Sequence, residues 1–274
     1  MRIAIIGHGF VGKAVDYGFS DPRCEKYIVD PRGGLDISDL TKVSIDFTFV
    51  CVPTPMGADG SIDSSIIEEV VSYLNSNVSG TIIVKSTITP DIIKKIYSER
   101  MVYNPEFLTE KSANEDFVNP FMHVLGGHIS YTDKVESLYK YYSLCKPCPT
   151  YHMSPIDASF VKYGINSFLA SKVLWFNQFK DIVSASDANF GRVISAITAD
   201  QRVSKSHTTV PGFDGKRGFG GACFTKDTSA LLTYAKNLGT DFTVLEQVIK
   251  ENNKYRRQYE LDDREKEQHI KYED

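Results

Sequence analysis

The stretch Gly218-Phe-Gly-Gly-Ala-Cys-Phe-Thr-Lys-Asp227 sets one cysteine between a glycine run and the helical stretch TKDTSALLTYAKNL. A thiol at the start of a helix has a lowered pKa, because unpaired backbone amides and their aligned dipoles stabilise the thiolate. The glycines beside Cys223 let a carbon atom of another molecule come close, and Asp227, four residues on, lies one helical turn away. Nucleophilic attack is the chemistry this pattern supports. A buried, inert thiol is the other reading, and the one composition alone favours.

A second pattern, Gly7-His8-Gly9-Phe10-Val11-Gly12, follows the apolar run Ile3–Ile6 and opens a helical stretch. Between a strand and a helix, the first glycine makes the tight turn and the second lets a pyrophosphate approach the backbone. The third permits close helix–strand packing, and the helix N-terminus offers amides and positive dipole to the phosphates. Asp30 closes the next apolar run, 18 residues after Gly12, near the spacing at which an acid takes the adenosine ribose hydroxyls. A carboxylate there repels a 2′-phosphate and so selects NAD over NADP, whereas the nearby Arg32 is of the type that accommodates one. A metal is not expected. The only CxxC, Cys145-Lys-Pro-Cys148, lacks a second ligand pair, and the histidines have no metal-ligand spacing.

These groups need a frame. From 1 to 153, short β-branched runs (Ile3–Ile6, Tyr27–Val29, Phe47–Val52, Ile82–Lys85, Met101–Tyr103, His123–Leu125, Thr150–Met153) alternate with helical stretches near 10–19, 63–76, 90–98 and 131–144. Apolar runs without strict alternation, separated by helices, predict an α/β domain: a Rossmann-type, mostly parallel sheet with helices on both faces. The pattern changes at Ser154-Pro155 to an all-helical central domain, 154–258. It opens with one long helix whose Val161, Ile165, Phe168 and Leu169 fall on one face; Leu174, Trp175 and Phe176 extend the apolar surface to others. Such a helix is expected to be buried on several sides, between domains or subunits. Two further helical stretches, about 189–200 and 226–255, flank the glycine-rich loop, and the charged stretch 259–274 reads as a solvated helix or disordered tail.

The formal charge of −4, from 31 basic and 35 acidic residues among 274, provides no basic field for nucleic acid or an anionic membrane. No 18-residue apolar run and no signal peptide is present, and the five cysteines are odd in number and scattered. The expectation is a reduced, cytoplasmic protein.

The thiol segment GFGGACFTKD resembles the GFGGSCFPKD segment of the UDP-glucose and GDP-mannose dehydrogenases, and the likeness continues in order along the chain. FVCVPTPMGADGSID (49–63) resembles that family's cofactor-side loop, VKSTITP (84–90) its KSTVPP turn, NPEFLTEKSANEDF (104–117) its NPEFLREG segment and KYGINSFLASK (162–172) its KYAANAFLA helix. The resemblance implies NAD-dependent oxidation of a nucleotide-sugar primary alcohol, most typically UDP-glucose to UDP-glucuronate. Cys223 is the implied nucleophile. Lys162 and Asn166, one turn apart on a helix, are implied to stabilise an oxyanion; a lysine on so apolar a helix otherwise reads as a snorkelling surface residue. Thr87, Glu110 and Asp227 are the implied water-ordering and proton-handling groups. The resemblance adds Phe10, Val11, Val52, Pro53, Thr54, Ser86 and Thr87 to the cofactor site, and Glu106, Phe107, Leu108, Glu110, Arg202, Phe219 and Gly220 to the substrate site. Arg202 matches an arginine inserted into the neighbouring subunit's site, which implies a homodimer built on the central helix.

Two departures stand out. Thr225 occupies a position where the family has proline, and the charged remainder after about residue 258 has no room for the family's further nucleotide-sugar domain. A partner supplying that domain is therefore a further expectation. The alternatives are a single-step β-hydroxyacid-type dehydrogenase, which needs a lysine but no catalytic cysteine, and a truncated, non-catalytic cofactor-binding partner of a full-length dehydrogenase.

Overall fold

The computed structural model describes residues 1–272, which form two compact units: 1–54 with 63–162, and 55–62 with 163 onward.

The first unit is built on a sheet of seven strands among the described residues: β1 (Arg2–Ile6), β2 (Glu25–Val29), β3 (Phe47–Val50), β4 (Thr81–Val84), β5 (Met101–Tyr103), β6 (His123–Gly126) and β7 (Thr150–Met153). Their order is β2-β1-β3-β4-β5-β6-β7, and every pairing is parallel except β5 with β6. Strands β3 and β4 are buried at every residue, the mark of strands covered on both faces. The crossovers are α1 (Phe10–Gly18), α2 (Ser65–Asn77), α3 (Pro90–Ile96), α4 (Ala113–Val118) and α5 (Ile129–Tyr142). Pro90 opens α3, where its missing N–H leaves no bond unmade. Phe19, Phe49, Phe117 and Tyr139 form an aromatic knot with neighbouring ring centroids 5.2–6.4 Å apart. Each such buried ring contributes on the order of 2–3 kcal/mol of hydrophobic stabilisation. The fold is the Rossmann-type α/β sheet that the alternating runs predict.

The sequence of strands reverses direction between β1 and β3. In open parallel sheets, ligands bind beyond the carboxyl ends of the strands at such a switch point. The sequence motifs lie there by residue order: Gly7–Gly12 follows β1, Asp30 follows β2, Val52–Thr54 follows β3, and Ser86 and Thr87 follow β4.

The 31-residue helix α6 (Pro155–Ala185) belongs to the first unit up to Lys162 and to the second from Tyr163 on. The second unit continues with α7 (Phe190–Ile197), α8 (Ala222–Asn237), α9 (Thr243–Arg256) and α10 (Asp263–Glu267). Its core gathers Ala170, Leu174 and Phe219 with Phe224, Val248 and Tyr255.

Two expectations are corrected. The stretch expected as one helix over 226–255 is two, because α8 terminates at Gly239, which adopts the left-handed conformation that closes helices. Within the single chain, helix α6 leaves Phe168, Trp175 and Ile182, at intervals of seven, 68%, 53% and 64% exposed. The charged stretch after 258 is neither solvated throughout nor disordered over 259–272, since Glu265 is fully buried and Ile270 is 2% exposed; its last two residues lie outside the described ones. No helix among the described residues is long and apolar enough to cross a membrane.

Candidate functional site

In the first unit, the glycine turn has the form a dinucleotide requires. Gly7 takes φ +86°, and a Cβ there would meet the carbonyl oxygen of Cys51 at 2.6 Å. At Gly12 a Cβ would meet the Gly7 carbonyl oxygen at 2.0 Å, so this glycine brings α1 against β1. Gly9 is the residue preceding α1, and nothing lies within 4 Å of where its Cβ would be. Open space at the second glycine, beside a helix N-terminus, fits an approaching pyrophosphate.

Asp30 is 8% exposed. Its Oδ2 accepts from the His8 amide at 2.6 Å, and its Oδ1 accepts from the amide and Nε of Arg32 at 2.9 and 3.2 Å. The Arg32 hydrogen bond, with the two amides, holds the Asp30 carboxyl at about 2 against the opposing effect of burial. Arg32 thus neutralises the acid while its side chain stays 74% exposed.

The loops after β3 and β4 are stitched together by two hydroxyls. Thr54 Oγ1 donates to the Thr87 carbonyl at 3.0 Å, and Ser86 Oγ donates to the Val52 carbonyl at 2.7 Å. Val52, Thr54 and Ser86 are buried, Thr87 is half-buried and Pro53 exposed.

Beyond β5, Glu106 and Lys162 meet. Lys162 Nζ donates to Glu106 Oε1 at 2.9 Å and to the Glu106 carbonyl at 2.7 Å, and the ammonium lies 5.6 Å from the Phe107 ring centroid. Glu106 Oε2 accepts from the Leu108 amide at 2.6 Å. The Lys162 side chain is 3% exposed, so it is not a snorkelling lysine. Glu110 is exposed, on a single turn, Glu110–Ser112.

In the second unit, Cys223 sits in the first turn of α8, half-buried. Asp227 is 1% exposed; its Oδ2 accepts from Asn166 Nδ2 at 2.6 Å and its Oδ1 from Lys226 Nζ at 2.6 Å. Phe219 is 3% exposed, and Gly220 passes so close to Arg256 that a Cβ would fall 2.0 Å from its guanidinium. Arg202 is 89% exposed and paired at 2.6 Å with Asp200 on its own loop.

Two buried lysines escaped sequence reasoning. Lys226, next to Asp227 in the chain, has a side chain only 8% exposed. Lys85 lies at the end of β4, fully enclosed, donating to Asn104 Oδ1 at 3.0 Å; Tyr139 donates to the same oxygen at 2.7 Å. Burial lowers its pKa to about 8. A lysine closing the apolar run Ile82–Val84 was the signal available for it.

Two family models match the chain. The NAD binding domain of the UDP-glucose/GDP-mannose dehydrogenase family matches residues 35–143, and the central domain of the same family matches residues 157–254. The chain is similar to the UDP-glucose 6-dehydrogenase TuaD of Bacillus subtilis (strain 168), 31% identical over 85% of this chain and 52% of that one. It is likewise similar to the UDP-glucose 6-dehydrogenase of Rickettsia felis, 30% identical over 74% of this chain and 47% of the other. The chain thus spans about half the length of the curated relatives it matches. Among solved structures it resembles a UDP-glucose dehydrogenase from Pyrobaculum islandicum, with TM-score 0.77, 25% identity and coverage of 92% of this chain and 68% of that one.

Proposed function

The chain belongs to the UDP-glucose/GDP-mannose dehydrogenase family, and from that premise we propose that it oxidises the primary alcohol of a nucleotide sugar to a carboxylate through a thioester on Cys223. UDP-glucose is the first substrate to test. The observation that carries the reading is the buried cluster in which Asn166 of α6 meets Asp227, itself paired with Lys226, on α8, the helix that begins at the thiol. A fully enclosed carboxylate bonded to an amide and an ammonium is a costly arrangement for a purely structural helix.

Residues 1–153 are assigned to cofactor binding and 154–258 to carrying the thiol. Gly7, Gly9, Gly12 and Asp30, with the Phe10–Val11 amides, Val52–Thr54, Ser86 and Thr87, would hold NAD. NAD, when bound, accepts hydride. In the first oxidation the alcohol loses a proton to a water ordered by Thr87 and Asp227 and its carbon gives up the first hydride, so that an aldehyde results. The Cys223 thiolate then adds to the aldehyde carbon; a C–S bond forms, and the carbonyl oxygen, stabilised by Lys162 and Asn166, takes up a proton. Loss of that proton and a second hydride converts the thiohemiacetal to a thioester. Water, deprotonated with the help of Glu110, attacks the thioester carbon; the C–S bond breaks, the acid leaves and the thiolate returns. Covalent capture retains the aldehyde between the two oxidations. Glu106, Phe107, Leu108, Phe219 and Gly220 are assigned to holding the sugar.

The reading includes a homodimer through α6. The exposed stripe Phe168, Trp175 and Ile182 supports it, because large apolar residues repeated every seven along a helix are a helix-pairing surface. Arg202, so exposed on its own chain, is assigned to the partner subunit's substrate.

Stoichiometry tests the proposal. Purified protein given limiting UDP-glucose and excess NAD should produce two NADH per sugar. One NADH per sugar points instead to single-step oxidation, and none with any nucleotide sugar removes the assigned activity.

A further inference from the structure

The glycine run that leads into Cys223 is held from outside itself. The Gly218 amide donates to Asn177 Oδ1 at 3.0 Å, and the Phe219 amide to Asn252 Oδ1 at 2.7 Å. The Gly221 amide donates to Glu265 Oε1 at 2.9 Å across 44 residues of sequence. Gly221 is the residue that caps α8, at φ +76°, and no side chain of its own caps that end. Where the first-turn amides and the Cys223 thiol point therefore depends on how Gly221 is held.

Glu265 comes from the charged stretch whose composition reads as solvated, yet it is fully buried. Besides Gly221, its Oε1 accepts from Tyr272 Oη at 2.6 Å and from Arg256 Nη2 at 3.1 Å, while Oε2 accepts from the Asp262 amide at 2.9 Å. Burial pushes its pKa up, but the Tyr272 hydroxyl, the two amides and the Arg256 charge together bring it below the usual carboxylate range. Tyr272 Oη also lies 3.3 Å from Thr225 Oγ1, two residues after Cys223. Thr225 is where the resembling segments have proline, which has no hydroxyl for this contact. The departure in α8 and the divergent stretch after 258 meet at one hydrogen bond. The same stretch also accepts the Met56 amide at the Gln268 carbonyl, 3.0 Å away.

We propose that Glu265 and Tyr272 are positioning residues for Cys223: the buried carboxylate pins Gly221 at the start of α8, and Tyr272 ties that carboxylate to Thr225, two residues after the thiol. The proposal rests on Cys223 being the reacting group. The segment 262–272 thereby serves the active thiol instead of trailing into solvent.

The test uses the full chain and reads the thiol with and without turnover. Iodoacetamide alkylation of Cys223, followed by peptide mass spectrometry so that the other four cysteines do not interfere, is compared in wild type, Tyr272→Phe, Glu265→Gln and Glu265→Ala. Tyr272→Phe keeps the ring and the charge, so it should stay folded by circular dichroism. Its Cys223 alkylation should slow about tenfold near pH 7.5, since α8's amides no longer converge on the thiolate. Glu265→Gln, which keeps an oxygen for the Gly221 amide, should retain most of the rate that Glu265→Ala loses. In turnover assays kcat should fall in Tyr272→Phe, with KM for NAD unchanged. Alkylation of Tyr272→Phe that is unchanged within twofold or faster, or equal losses in the Gln and Ala variants, overturns the proposal. If wild type shows no turnover, the alkylation comparison still decides positioning, and only the assigned activity fails.

Discussion

Lys162 Nζ is held by two oxygens of a single residue, the side-chain Oε1 of Glu106 at 2.9 Å and its carbonyl at 2.7 Å. With the two side chains 3% and 6% exposed, neither charge has water to fall back on. Breaking this buried ion pair by removing one charge costs about 3–5 kcal/mol, whereas removing both charges together spares much of that penalty. Lys162→Met and Glu106→Leu should each destabilise strongly, and the double variant by less than the sum. Urea unfolding of the four proteins checks this; additive losses would show that the pair is not coupled.

Asp30 should govern both cofactor choice and acid stability. Asp30→Ala should weaken NAD and relax discrimination against NADP, as read by calorimetry with each cofactor. The folded carboxyl sits at about 2, below the unfolded value of about 3.9. Its contribution is therefore complete above about pH 5 and is lost as pH falls from 4 toward 2. Asp30→Asn should flatten that acid limb of the melting-temperature profile. An identical limb in the variant would assign it to other carboxylates.

Lys85 makes the opposite forecast on the alkaline side. Burial lowers its pKa to about 8, beneath the unfolded value of about 10.4. The charged form therefore costs stability below pH 8, and the cost fades as pH rises from 8 toward 10. Lys85→Met should match or exceed wild type at pH 7, since Tyr139 still donates to Asn104 Oδ1 at 2.7 Å, and that advantage should shrink by pH 10. A variant that melts far lower at pH 7 would refute this account.

Arg202 and Cys223 should complement each other across subunits. Arg202→Ala should leave stability essentially unchanged, as expected for an exposed ion pair, but abolish most turnover. A mixture of inactive Arg202→Ala and Cys223→Ala dimers, after subunit exchange, should regain roughly one quarter of wild-type activity. Half the dimers are then mixed, and each mixed dimer has one site with both groups intact. No recovery on mixing, with dimers verified by light scattering, would rule out action in trans.

Local chemistry was legible in the residue order. The glycine turn, the strands as unbroken apolar runs and Cys223 at the mouth of a helix all rest on spacings of a few residues, where backbone geometry leaves little choice. Asn166 and Asp227 were both named, but their bond spans 61 residues, and Lys162 meets Glu106 across 56; nothing local specifies either pairing. Where charge was read by composition, in the stretch that holds Glu265, the reading failed. Lys85, Lys226 and Glu265 are charged side chains of the kind that avoids the interior when isolated. Each is buried because the fold brings it a distant or adjacent partner: Asn104 for Lys85, Asp227 for Lys226, Arg256 for Glu265. Sequence supplied the reactive groups, and chain folding supplied the company that lets them be buried, because desolvation is offset only by bonded partners, and for Lys85 and Glu265 those partners are not chain neighbours.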